Sequence, residues 1–283
     1  MKRSQTIVCY NYLSYFRLSH VTDDPTFEER QLAWQFGSQV TQIQPHRVLK
    51  QGSKVMPLES TAMRLVKEYL PGVPVPSIIA TKYRYKQGIP VYGELEMEYM
   101  PGTTLKSIWI NLSNETKERV CGDIWNMVAR IRTVPLPADL RPGHYRTTDG
   151  SSSYDPFLGD ENDLAPIELD DDTLRGRIYS RYVATNGLSY KDSGDIIESL
   201  PRSNVSVFTH GDIGPRNIIV DGSYCITGLL DWEYSGWFPD YWEYAMMMRF
   251  CSEDEQDWQT WMERSKPTAW DITALGKVRR VLF

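Results

Sequence analysis

The stretch NIIVDGSYCITGLLD (217–231) is the strongest constraint on the fold. Two apolar runs, NIIV (217–220) and CITGLL (225–230), flank DGSY. Asp-Gly supports a tight turn, so the segment reads as a β-hairpin. An antiparallel hairpin brings its two open ends together. Asn217 opens the first strand and Asp231 follows the second, so an amide oxygen and a carboxylate share one end although fourteen positions separate them. Hard oxygen donors of this kind suit magnesium better than zinc. Five residues upstream of Asn217, Asp212 lies in a loop that must return to the same end. A carboxylate there is placed to orient a hydroxyl and accept its proton.

Composition narrows the classes. The chain has 283 residues, enough for one large domain or two smaller ones sharing a cleft. A net charge of −6 argues against a partner with a phosphate backbone, so no nucleic acid is expected. Cys9, Cys121, Cys225 and Cys251 form no CxxC and only four histidines are present, which disfavours zinc and a disulfide framework. The N-terminal SQTIVCYNYLSYF is interrupted by polar residues and lacks the apolar core of a signal peptide. No run is long enough to span a membrane, and the cytoplasm is the expected location.

Along the chain, DPTFEERQLAWQF (24–36) reads as a helix capped by Asp24 with Pro25 in its first turn. HRVLKQG (46–52) reads as a strand and MPLESTAMRLVKEYL (56–70) as an amphipathic helix, with Leu58, Ala62, Leu65, Val66 and Tyr69 on its apolar face. SIIA and VYGELEMEYM (91–100) read as strands and PGTTL (101–105) as a turn. Helices are predicted over 117–134, 173–183 and 193–200, and the intervening 135–173 is rich in loop formers. This is an α+β pattern: a small strand-rich lobe over 1–100, a larger helical lobe over 101–283, and a separate core expected in each.

A base Asp followed by an Asn and a second Asp is the division of labour of phosphoryl transfer, with the latter two holding metal on the nucleotide phosphates. Protein kinases space the first pair by five residues and place the last Asp beyond a short strand pair. The other parts occur here in the required order. Lys50 ends a strand, Glu59 lies on the next helix, and LEMEYMPG supplies an interlobe hinge with Glu98 to Met100 available to a nucleotide base.

MEYMPGTTL, THGDIGPRNIIV and GLLDWEYSGWFPDYWEY together resemble the aminoglycoside phosphotransferase family, a branch of the kinase fold also similar to choline kinases. The form of the catalytic segment looks especially like fungal phosphotransferase members. The likeness runs from about Phe36 to Arg249. It implies a bilobal protein-kinase-like fold and an ATP-dependent, magnesium-assisted transfer of the γ-phosphate to a small-molecule hydroxyl. Secondary metabolites, amino alcohols and aminoglycosides are all open as acceptors. Asp212 would be the base, Asn217 and Asp231 the metal ligands, Lys50 and Glu59 the phosphate-positioning pair, and His210 a brace for the catalytic loop. Gly211 stands where many protein kinases have Arg, and no long activation segment fits between Asp231 and Trp242. Both features favour a small-molecule kinase over a protein kinase.

Three features pull the other way or stay open. The segment before Lys50 has one glycine, Gly37, in place of a glycine-rich loop. That leaves a catalytically weak nucleotide- or ligand-binding module as the alternative. The acidic run GDENDLAPIELDDD, with Asp160, Glu161, Asp163, Glu168 and Asp170 to Asp172, is either a cradle for a polycationic acceptor, as the resemblance implies, or a solvated loop leading to an N-cap at Asp172. Of the late tryptophans, most are expected in the core and Trp237 is a candidate for the acceptor pocket.

Overall fold

A computed structural model describes residues 26–160, 162–189, 195–249 and 255–282. The N-terminal part is an antiparallel sheet of β1 (Arg30–Gln35), β2 (Ser38–Gln44), β3 (Arg47–Gly52), β4 (Ile78–Lys86) and β5 (Ile89–Glu98), in the order β1-β2-β3-β5-β4. Helix α1 (Pro57–Tyr69) packs on it. Pro57 presets the first turn, and Leu58, Ala62, Met63 and Val66 recur at the helical period and are buried. Tyr69, on the same face but at the last position of the helix, is exposed.

The helix expected over 24–36 is not formed where the structure describes it; Asp24 and Pro25 lie outside the described residues. Residues 30–35 are strand β1. Leu32, Trp34 and Phe36 alternate, and the two-residue Phe36-Gly37 turn sets Gln35 opposite Ser38. Pairing with β2 overrides the local helical propensity. Behind this turn the Lys54 N–H donates to the Gly37 carbonyl at 2.9 Å. A Cβ on Gly52, whose φ is +151°, would stand 2.1 Å from that same carbonyl oxygen. The close crossing therefore needs glycine at position 52.

Beyond the hinge come β6 (Thr103–Thr104), α2 (Leu105–Ile108) and α3 (Asn114–Ile131), then β7 (His144–Thr147), β8 (Leu169–Asp170) and α4 (Asp171–Ala184). The chain continues with α5 (Ile196–Ser199), β9 (Ser206–Thr209), β10 (Ile218–Val220), β11 (Ile226–Leu229), β12 (Gly236–Pro239), α6 (Trp242–Met247), α7 (Gln256–Ser265) and α8 (Thr273–Leu282). Ser113 caps α3 by accepting the Thr116 N–H at 3.2 Å. Val120, Ile124, Val128 and Ile131, the face read from sequence, are buried together with Trp125.

Two small sheets position the loops that follow. Strands β10 and β11 pair antiparallel with Ile218 opposite Leu229, which is the expected hairpin, and β6 pairs with the outer edge of β10. PGTTL is therefore a turn leading into a short strand. The second sheet has the order β8-β7-β12-β9. The core does not divide at the hinge as expected. One cluster runs from Val55, Met63 and Leu95 in the first lobe through Leu105, Trp125 and Phe208 to Trp258. A second gathers Tyr145, Leu174, Trp242 and Val278 within the helical lobe. Each side chain so buried contributes about 1.5–3 kcal/mol relative to exposure, so the interlobe packing is a substantial tie. No helix among the described residues is long and apolar enough to cross a membrane.

Candidate active site

A cleft of about 550 Å³ opens between the sheet and the helical part, walled by Lys50, Glu59, Met100, Arg216, Asn217 and Asp231. On its sheet side, β3 carries Lys50 and α1 carries Glu59. The Lys50 ammonium donates to both Glu59 oxygens, at 2.8 and 3.0 Å, and to Asp231 Oδ1 at 2.7 Å. Glu233 stands 3.9 Å away. Burial works against the charged amine, but Asp231, Glu59 and Glu233 overcome it and hold its pKa well above the usual lysine value. For Asp231, burial opposes ionisation while Lys50 favours it; Lys50 prevails and the carboxyl sits below its usual range. Burial, with Asp231 nearby, pushes Glu233 up to about 8.

Asp231 itself has φ +69°, a left-handed conformation that Asp tolerates better than most residues. It stands one residue beyond β11, and the N–H of the intervening Leu230 donates to the Asn217 carbonyl at 2.9 Å. The two open ends of the hairpin are thus fastened together by backbone. The Asn217 amide nitrogen donates to the Asp212 carbonyl at 2.9 Å and to its Oδ2 at 2.8 Å. These bonds leave the Asn217 side-chain oxygen for another partner.

His210 has no solvent exposure. Its Nδ1 accepts the Asp212 N–H at 3.1 Å and its Nε2 lies 3.0 Å from the Leu230 carbonyl. Making both bonds requires a neutral ring with the proton on Nε2. Burial drives its pKa down to about 4, which agrees with that form. Trp232 packs on the ring with centroids 4.4 Å apart. Gly211 has φ +82°, and a Cβ there would stand 2.5 Å from the Tyr234 carbonyl oxygen. The arginine of protein kinases cannot be accommodated at this position without moving the loop. From Asp231 the chain passes through four residues into β12 and then α6, so no activation segment intervenes.

The description of the phosphotransferase enzyme family matches residues 31–266. The chain belongs to that family. No curated protein matches it significantly. Among solved structures it is similar to aminoglycoside phosphotransferase APH(2'')-IIa with streptomycin and ATP, at TM-score 0.55 and 14% identity over 89% of this chain and 81% of that one. It is also similar to ADP-bound APH(2'')-Ib, at 0.53 and 12% over 90% and 81%. A thermostable mutant of APH(4)-Ia in its apo form gives 0.54 and 15% over 90% and 84%. At these identities the likeness is one of fold: a bilobal, kinase-like α+β architecture.

The remaining expectations for this phosphotransferase can now be placed. Glu98 closes β5, and its carboxylate accepts the Ser77 N–H at 3.1 Å and hydroxyl at 2.8 Å, fastening the hinge beside Met100. Trp237 does not face an acceptor pocket. It is 3% exposed on β12, packed edge-on against Phe208 in the core. The acidic run is no open cradle. Asp160 pairs with Arg181 at 2.9 Å, Asp163 with Arg177 at 2.9 Å, and Asp172 with Arg202 at 3.0 Å. Glu168 meets His144 at 2.8 Å, and the cap of α4 is Asp170 instead of Asp172. Glu161 lies outside the described residues.

Sequence reasoning missed three supports of the catalytic loop. Glu243 on α6 accepts the N–H groups of His210 at 2.6 Å and Gly211 at 3.1 Å. Arg216 grips Asp212 with bonds of 2.6 and 2.8 Å, and Arg249 donates to Asp212 Oδ1 as well. Arg216, one residue before Asn217, and Glu243, in the closing WEY of the second quoted motif, were both on view in the sequence, but neither spacing gives its target. Arg249 lies beyond the end of α6 and carries no local signature.

Proposed function

We propose that this phosphotransferase moves the γ-phosphoryl group of ATP to a hydroxyl of a small molecule. The observation that carries the reading is the convergence of Lys50 and Glu59, from the first lobe, with Asp231, 181 positions after Lys50, on the wall of a cleft also lined by Asn217. In this reading the lobe over residues 1–100 holds the nucleotide, with its base at the Glu98–Met100 hinge, and residues 101–283 carry the catalytic loop and the acceptor side. Lys50, oriented by Glu59, would hold the α- and β-phosphates. Nucleotides bound in similar structures, ATP in APH(2'')-IIa and ADP in APH(2'')-Ib, support such a use of the cleft.

The donor set suits magnesium. Glu59, Asp231 and Glu233 offer oxygens within 4.8 Å of one another, and the Asn217 oxygen is unused by the bonds to Asp212. Asn217 and Asp231 would hold the ion, which when bound would neutralise charge on the transferred group. Asp212 would orient the acceptor hydroxyl and take its proton as oxygen bonds to the γ-phosphorus. The bond from that phosphorus to the bridging oxygen breaks, and ADP leaves. His210, neutral and fully bonded, would hold the loop without exchanging protons.

A second reading, a nucleotide-binding module without turnover, is favoured by one feature: both Asp212 oxygens are already occupied by Arg216, Arg249 and Asn217. The two readings separate in one experiment. ATP consumption is followed by mass spectrometry across hydroxylated metabolites for wild type and Asp212→Asn. An added phosphate on an acceptor with wild type, lost in the folded variant, supports the kinase; a variant as active as wild type overturns Asp212 as base. Nucleotide binding with no product from any acceptor favours the module.

A further inference from the structure

We infer that the acceptor carries an anionic group, a carboxylate or a phosphate, beside the hydroxyl to be phosphorylated, and that Arg216 and Arg249 receive it. The inference rests on the kinase reading above and names the acceptor class for the same site. Its starting point is the state of Asp212. A carboxylate covered by two guanidinium groups has its oxygens shielded from an incoming hydroxyl. For transfer to proceed, at least one guanidinium must leave.

Leaving has an electrostatic condition. The Arg249 side chain is 13% exposed. Burial opposes its charge, and the neighbouring Asp212 and Asp155 outweigh that effect. Taking a bonded carboxylate away from a buried cation is unfavourable unless other groups replace its bonds. Asp155 remains as a counter-charge, and an arriving anion takes over the bonds that Asp212 gives up. Tyr234 lies under the guanidinium at 5.3 Å, and the Arg249 carbonyl is held by Gln259 at 2.8 Å, so the group is positioned as well as charged. The Arg216 side chain is 43% exposed and lines both the nucleotide cleft and the depression beside Asp212. It is free to follow an arriving ligand.

The described carboxylates of the acidic run, and Glu255, are engaged within the chain. Asp160, Asp163, Asp171 and Asp172 are paired with arginines of the chain, and Glu255, next to Arg216, is bonded by Lys106 at 2.9 Å. An anionic acceptor instead exchanges with Asp212 for the guanidinium groups. Its arrival frees the base at the moment the hydroxyl is delivered, whereas a neutral or cationic alcohol leaves the base covered. Specificity and activation then come from one exchange of ion pairs.

The test uses the full chain and four alcohols with one skeleton: glycerate, glycerol 3-phosphate, glycerol and 3-amino-1,2-propanediol. The protein is first saturated with magnesium and the β,γ-imido analogue of ATP, which fills the γ-phosphate position so that an anion cannot be bound there. A rise in Tm with the analogue is required by the kinase reading; its absence overturns that reading and this inference with it. With the analogue bound and ionic strength matched, glycerate or glycerol 3-phosphate is expected to raise Tm further at millimolar concentration. Glycerol and the amine are expected to leave it unchanged. R216Q, at a half-exposed position, is expected to weaken the anion response at least tenfold, and R249Q to abolish it. An equal response to all four, a larger one to the amine, no response to either anion, or an anion response that persists in both variants overturns the inference while the kinase reading stands.

Discussion

The ammonium of Lys50 lies 2.7 Å from Asp231 Oδ1 although 181 positions separate the two residues. This contact joins the sheet of the first lobe to the end of the β10–β11 hairpin in the second. It also sets one lysine facing three carboxyl groups, because Glu59 and Glu233 approach the same amine. Without the amine, the carboxylates lose their bonded counter-charge. Lys50→Met is therefore expected to lower stability by about 3–5 kcal/mol, the usual cost of removing one partner of a buried pair. Magnesium is expected to restore part of that loss, since the acidic oxygens are close enough to share one ion. Thermal unfolding of wild type and variant in EDTA and in magnesium measures both effects. A variant with unchanged Tm, or one indifferent to magnesium, contradicts the account.

Asp231→Asn addresses the other end of the same contact. Lys50 keeps Glu59 as a partner in this variant, so the protein is expected to fold with only a modest loss of stability. What it loses is a charged oxygen donor for magnesium. Wild type with magnesium and ATP at about a hundredfold excess over Kd is expected to gain about 2.7 kcal/mol of apparent stability. The variant is expected to gain little, and to show no difference between ATP with magnesium and ATP with EDTA. Differential scanning fluorimetry decides this; a full magnesium-dependent shift in the variant removes Asp231 from the metal site.

How much of this was readable beforehand varied with the range of the interactions. The hairpin was legible because Asp-Gly and two apolar runs are local signals, and it brought Asn217 and Asp231 to one place. Lys50 and Glu59 were legible through their order relative to the hinge. Residues 30–35 were misread because the helical propensity is local, while the strand is dictated by β2 across the Phe36-Gly37 turn. The separate cores were misjudged for a similar reason: a change of composition at 101–105 does not reveal that Leu105, Trp125 and Phe208 pack onto Val55 and Leu95. Glu243 and Arg249 reach the loop across 33 and 37 positions, and a single charged residue on a helix gives no hint of its target. The acidic run shows the limit of charge counting, since its meaning depends on arginines of α4 and on Arg202.

His210 gives the fold a defined pH dependence. Its folded pKa is depressed to about 4, against 6.5 when unfolded. Between those values the unfolded chain binds a proton that the folded chain does not, so stability rises with pH across this window. The contribution is complete above about 6.5 and is lost as pH falls through about 4. It amounts to about 3 kcal/mol from the size of the shift. Other carboxylates titrate in the same range, so the informative quantity is the difference between wild type and His210→Gln. Urea unfolding from pH 4 to 7.5 is expected to show wild type gaining on the variant by about this amount as pH rises. A difference that is flat with pH means that His210 is not the buried neutral ring described here.

Two glycines test the backbone geometry against each other. Gly211 has φ +82°, and an added Cβ would stand 2.5 Å from the Tyr234 carbonyl oxygen, a rigid neighbour. The left-handed conformation alone costs a non-glycine residue about 1–2 kcal/mol, and the clash adds to it. Gly276 lies within α8, and an added Cβ there meets nothing within 4 Å. Alanine at that position gains about 0.5–1 kcal/mol of helix stability. Gly211→Ala is thus expected to lower Tm and displace the loop that carries Asp212, while Gly276→Ala leaves turnover intact and raises Tm slightly. The clash also gives a physical reason why this loop reads His-Gly-Asp where protein kinases carry arginine. If Gly211→Ala proves as stable and as active as wild type, the loop adopts a different path from the one seen here, and the placement of Asp212 beside Asn217 has to be redrawn.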